Sequence, residues 1–112
     1  MLLIREDLKR LRQFSEAQHQ AEIDEMFEWT KWIAESGHYV YSEPLHVTGR
    51  YVSKKQVLSD GPFIESKEGV AGYFIIKAEN IDEAVSIAQR CPLVKRDEAV
   101  IEVRPIVPVP QP

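Results

Sequence analysis

The stretch Val70-Ala71-Gly72-Tyr73-Phe74-Ile75-Ile76 limits the choice of fold more than any other part of the chain. It reads as a strand over 71–78, rich in β-branched and aromatic residues. Successive strand side chains point to opposite faces, so Phe74 and Ile76 look one way and Tyr73 and Ile75 the other. Both faces are apolar. A half-solvated antiparallel sheet alternates apolar with polar residues, and this strand does not. Two helices can cover one face of a small sheet, so the second face needs a cover from elsewhere.

The remaining elements follow from capping and periodicity. Residues 1–4 form a short apolar strand, and 5–13 a charged connector with a helical turn through Leu8 and Leu11. Ser15-Glu16-Ala17-Gln18 is a capping box, and it starts a helix that runs to about Ser36 with Gly37 as its stop. Ile23, Met26, Phe27, Thr30, Ile33 and Ala34 share one stripe of this helix. Trp32 points to the far side, among Glu25, Glu28 and Glu35, with Trp29 on the flank. Residues 38–45 read as a strand, 48–50 as a turn, and Tyr51-Val52 with Gln56-Val57-Leu58 as the arms of a hairpin. Asn80 and Glu83 form a second capping box, opening a helix whose stripe is Ile81, Ala84, Val85, Ala88 and Cys91 and which Pro92 ends. Residues 99–104 alternate as the last strand. VPVPQP at 107–112 is an extended, proline-rich tail, and Trp32 is the aromatic surface on which it is expected to lie. One domain over 1–106 is the resulting organisation.

The order β-α-β-(hairpin)-β-α-β is a ferredoxin-like βαββαβ arrangement of the α+β class, with an extra hairpin. The cheapest cover for the second sheet face is the same face of another copy, which gives a dimeric α+β barrel with a cavity between the sheets. A homodimer is therefore expected. The chain has 112 residues, a formal net charge of -4 and a single cysteine. That balance gives no basic field for phosphate backbones and argues against a nucleic-acid partner. Four apolar residues at the start are too few for a signal-peptide core or a membrane span, so a soluble, cytoplasmic protein is expected. No His/Cys/Asp/Glu spacing fits a metal and no phosphate-binding glycine loop is present, so neither metal nor cofactor is expected.

The segment DGPFIESKE, residues 60–68, joins turn residues to a large aromatic and a dense charge cluster. One reading is structural: Asp60 accepts turn hydrogen bonds, Gly61 takes φ > 0, Pro62 fixes the exit and Phe63 plugs the core. The other is functional. Asp60 stands at the mouth of the intersheet cavity as a general base, and Glu65, Ser66, Lys67 and Glu68 orient a ligand beside Phe63. Glu43 shares its sheet face with Tyr39 and Tyr41. On an intersheet face it would be a second, partly buried carboxylate with a raised pKa; otherwise it pairs with Lys67 or Arg50. Tyr73 and Arg104 complete the candidate lining. His38 serves the helix C-terminus, His46 lies in an exposed turn, and Cys91 is a core thiol rather than a nucleophile.

These residues also carry a resemblance. Asp60, Gly61, Pro62, Phe63, Glu65, Lys67, Glu68, Gly72 and Tyr73 match the DGPFxExKE…Gly-Tyr pattern, so the chain resembles the DGPF branch of the YCII-related family. Trp29, Trp32, SGHYVYSEPL, NIDEAVSIAQRCP and VIEVRPI extend the likeness over roughly 15–106. The resemblance implies a dimeric α+β barrel and no particular reaction. Proteins of the wider family carry a His on the long helix and an Asp credited with acid-base work. Here that His position falls near Met26, and His19 lies about two turns earlier. The functional expectation is a small-molecule binder with its ligand between the sheets of a homodimer and acid-base chemistry by Asp60 and Glu43. The alternative is a non-catalytic homo-oligomeric sensor or accessory module in which the DGPF motif is structural.

Overall fold

A computed structural model describes residues 1–58 and 69–112. The elements are β1 (Leu2–Glu6), α1 (Leu8–Arg12), α2 (Glu16–Glu35), β2 (Tyr39–Pro44), β3 (Tyr51–Val52), β4 (Val57–Leu58), β5 (Gly69–Ile76), α3 (Ile81–Ala88), α4 (Pro92–Lys95) and β6 (Val100–Val103). Strands β2, β5, β1 and β6 form one antiparallel sheet in that order, and β3 with β4 makes a separate two-stranded hairpin. The α+β class, the strand order of a βαββαβ unit and the extra hairpin all agree with the sequence reading.

Local chemistry starts and stops α2 where expected. Ser15 accepts from the Gln18 backbone N–H at 3.2 Å, and the Gln18 side chain accepts from Ser15 N–H at 2.7 Å, a complete capping box. At the far end Gly37 takes φ +81, His38 N–H donates to Ile33 O and Gly37 N–H donates to Ala34 O, both at 3.0 Å. That is a Schellman closure, which only a residue tolerant of positive φ allows cheaply. His38 does not serve the helix end through its side chain. Its Nδ1 meets Lys77 O at 2.8 Å and ties the start of β2 to the end of β5.

The packed face of α2 differs from the expected stripe. Trp29 and Ile33 are its buried residues, with Met26 and Trp32 partly buried beside them, while Phe27 is 63% and Ile23 57% exposed. The tryptophan wins because it can satisfy both halves of its chemistry. Its ring lies 4.7 Å from that of Phe74, and its Nε1 donates to Ile87 O at 3.2 Å. Leu2 and Ile4 of β1, Ile87 and Ala88 of α3, Cys91 and Leu93 complete the core. Ile87 thus replaces the expected Ile81 and Val85, which are exposed. Pro92 does not merely end a helix: it occupies the first turn of α4, where a missing N–H costs nothing. Asn80 caps α3 by accepting from Glu83 N–H, but Glu83 reaches back to Glu79 N–H rather than to Asn80.

Trp32 has a cover, and it is Arg90, whose guanidinium carbon lies 3.8 Å from the ring centroid. Residues 107–112 are exposed and do not line the groove beside Trp32. Cys91 is fully buried with Sγ 3.7 Å from Met26 Sδ, and burial pushes its thiol pKa up, as befits a core thiol.

The two faces of α2 separate in a stability measurement. Ile33→Ala should cost about 2–5 kcal/mol, as deletion of a buried aliphatic side chain does, whereas Phe27→Ala should cost under about 1 kcal/mol. Urea melts of both variants check this, and equal costs would mean that the helix is rotated from the orientation described.

Candidate functional site: a cavity between the long helix and the sheet

Small residues open a hollow under the N-terminal half of α2. In the sheet register Gly72 faces Ile4 on one side and Pro44 on the other, all on the helix-covered face. With no side chain at Gly72, and with the core packed at the other end of the helix, a cavity of about 490 Å³ remains. That size suits a small organic ligand. Helix α2 contributes His19, Glu22, Ile23, Met26 and Phe27 to its wall; Ile4 and Phe74 form its sheet side.

Glu6 lies in this apolar lining. It occupies the last position of β1, and the alternation that buries Leu2 and Ile4 buries it too, at 5% exposure. The carboxyl shares a hydrogen bond with that of Glu22, while Arg10 Nη2 approaches Glu6 Oε1 at 3.4 Å and Glu22 Oε1 at 3.7 Å. Both are within ion-pair reach, and the first is also a hydrogen bond, although longer than a tight charge-assisted one. Loss of solvent is the largest influence on Glu6, followed by the charge of Glu22 and the hydrogen bond to it. Arg10 pulls the other way, and Glu98 adds a further upward push. The result is a pKa pushed up to about 8. Burial and the neighbouring Glu22 thus favour the protonated form of Glu6, which sits in an open, largely apolar cleft.

Glu6 and Glu22 did not stand out in the sequence, although one signal was available. If the first strand is read through LLIRE instead of stopping at Ile4, period two places Glu6 on the buried face.

The residues expected at the site are distributed over both faces of the sheet. Glu43 is exposed, sits opposite Tyr73 in the register of β2 and β5, and also contributes to the cavity lining. It does not share a face with Tyr39. A register shift between Tyr39 and Tyr41 sends Tyr39 to the helix side, where its hydroxyl meets Ser42 Oγ at 2.8 Å. Tyr41 stays with Glu43, whose charge raises the Tyr41 phenol pKa. On the uncovered face Leu3, Tyr73 and Ile75 are half-buried, and the Tyr41 and Tyr73 rings are 6.3 Å apart. Arg104 is exposed and pairs with Glu102 at 3.2 Å, which in turn holds Arg5 at 3.1 Å. Asp60, Phe63, Glu65, Ser66, Lys67 and Glu68 lie outside the described residues. His46 is exposed, next to a bend at Val47, with its Nδ1 2.9 Å from Thr48 Oγ1. Among the described residues no group of three His, Cys, Asp or Glu side chains is arranged to hold a metal, and no helix is long and apolar enough to cross a membrane.

The state of Glu6 has a measurable consequence. Between its ordinary value near 4.5 and about pH 8 the folded protein keeps a proton that the unfolded chain has released. Its contribution is therefore most favourable below that window and is lost as pH rises through it. Glu6→Gln cannot ionise. Its stability relative to wild type should climb by up to about 1.4 kcal/mol per pH unit across the window. Denaturant melts from pH 5 to 8.5 check this; parallel curves would mean that Glu6 is ionised throughout.

A curated relative, an uncharacterised protein of Rhizobium meliloti (strain 1021), is 32% identical over 59 residues. That match takes in 53% of this chain and 48% of the relative, so it spans about half of either protein. The YCII-related domain, in contrast, matches residues 1–110, nearly the whole chain. With its four-stranded antiparallel sheet and helices on one face, the chain belongs to the YCII-related family.

Proposed function

We propose that this protein, a member of the DGPF branch, binds a small organic molecule in the cavity beneath α2 and that Glu6 supplies acid-base chemistry there. The observation that carries the reading is a carboxyl buried in a largely apolar, ligand-sized hollow, where it shares the one nearby guanidinium among the described residues, Arg10, with a second carboxyl, Glu22. Such a group is costly to keep for structure alone. The segment 60–68 fits the same reading. Gly69, which follows it, is the register partner of Glu6, so the chain re-enters the sheet beside the acid. Asp60, Phe63, Glu65, Ser66, Lys67 and Glu68 are then candidates for ligand contact, with Asp60 as a second proton carrier.

The same reading includes a homodimer formed through the uncovered sheet face. Leu3, Tyr41, Tyr73 and Ile75 give that face an apolar centre, flanked by the Arg5–Glu102–Arg104 chain of charges. A second copy would cover both at once and form an intersheet space edged by Glu43, Tyr73 and Arg104.

Thermal unfolding against a metabolite library tests the binding. A ligand at about a hundred times its dissociation constant adds roughly 2.7 kcal/mol to stability, and Glu6→Gln should keep the fold and lose the acid-base turnover. Binding without turnover, unchanged in Glu6→Gln, would instead favour a non-catalytic sensor. For assembly, light scattering should give twice the chain mass for wild type and the single-chain mass for Tyr73→Glu. A monomeric wild type at micromolar concentration would remove the dimer from the reading.

A further inference from the structure

The charge balance of the cavity bears on what it holds. Glu6, Glu22 and Glu43 contribute to its lining, and no Lys or Arg does so among the described residues. His19, also in the wall, is exposed and packs edge-on against Phe14 at 5.2 Å. Arg10, set back from the lining, reaches Glu6 and Glu22 only at 3.4 and 3.7 Å. Among the described residues, Glu6 and Glu22 share a single guanidinium, which leaves that pair one positive charge short. Burial and the charge of Glu22 favour a proton on Glu6 in that setting. Three aromatic side chains, Phe27, Tyr39 and Phe74, line the same space, and the face of an aromatic ring attracts cations.

We propose that the cavity selects a ligand with a protonated amine on an apolar body, the ammonium displacing the proton held between Glu6 and Glu22. This rests on the small-molecule reading above and names its ligand class. The exchange balances: the ammonium enters with its own charge, the shared proton leaves to solvent, and the pair goes from one negative charge to two. Ammonium N–H groups then donate to the carboxylate oxygens alongside Arg10. An anionic ligand would face the Glu22 carboxylate with no lining Lys or Arg among the described residues to receive it.

Three probes with one ring and different heads separate the outcomes: 2-phenylethylamine, 2-phenylethanol and phenylacetate, titrated calorimetrically into the full chain at pH 7. The amine should bind at least about tenfold tighter than the alcohol, a free-energy gap of about 1.4 kcal/mol, and phenylacetate should be the weakest. In buffers of different ionisation enthalpy the amine should release close to one proton at pH 7, fading above pH 8 as the pair loses its proton beforehand. Glu6→Gln and Glu22→Gln, each confirmed as folded by circular dichroism, should abolish both the preference and the proton release. Equal binding of alcohol and amine, or tighter binding of phenylacetate, overturns the ammonium inference and leaves a small-molecule cavity standing. Amine binding with no proton release overturns the displacement. Failure of all three probes to bind, together with no hit in the library, overturns the inference and the cavity reading alike.

Discussion

Trp29 is the joint between the two halves of this fold. Its ring lies against Phe74 of β5, and its indole N–H is spent on the last turn of α3 at Ile87 O. One side chain thereby fixes the height of α2 above the sheet and its distance from α3. Its neighbourhood is well packed: Leu2, Ile33, Ile87, Cys91 and Leu93 are fully buried among the described residues. The other end of the same helix cannot follow the sheet as closely. Gly72 has no side chain to meet it, and the N-terminal half of α2 bridges a hollow. The tight core and the candidate site are therefore two ends of one packing arrangement.

How much of this was legible in the sequence depends on the range of the interaction concerned. Caps are local, so Ser15, Gln18, Gly37 and Asn80 could be read from a few neighbours, and the order of elements followed from them. Helix rotation is not local. Ile23, Phe27 and Ala34 made as good an apolar stripe as the one used, and only the partners of Trp29 in β5 and α3 decide between them. Tyr39 was lost to a register shift, which moves one side chain to the opposite face without any mark in composition. The family could be read from a long, specific segment, and the match over 1–110 agrees with it.

The site was harder because charge misled. Glu6 stands in the run REDLKR, which by composition is a solvated connector. The pleat of β1 overrides composition: a residue two positions past Ile4 shares its face whatever its polarity. Glu43, for which burial was expected only on an intersheet face, lies on the edge strand β2 and is exposed in the single chain. Burial here follows strand geometry rather than residue type, so two glutamates of one small protein end in different surroundings.

The position of β1 in the sheet also bears on how the chain reaches its native state. Although first in sequence, β1 is an inner strand, hydrogen-bonded to β5 on one side and β6 on the other. Arg5 and Glu102, joined across that pairing, are 97 positions apart. The sheet therefore cannot be completed from local contacts, and its closure carries the loop entropy of almost the whole chain. Helix α2 and the β3–β4 hairpin can form early, but the strand that ends in Glu6 must wait for both late strands. The acid is thus enclosed in one of the last steps of folding. Until then it stays in water as an ordinary carboxylate, and the cost of its burial falls on the closing transition of the sheet.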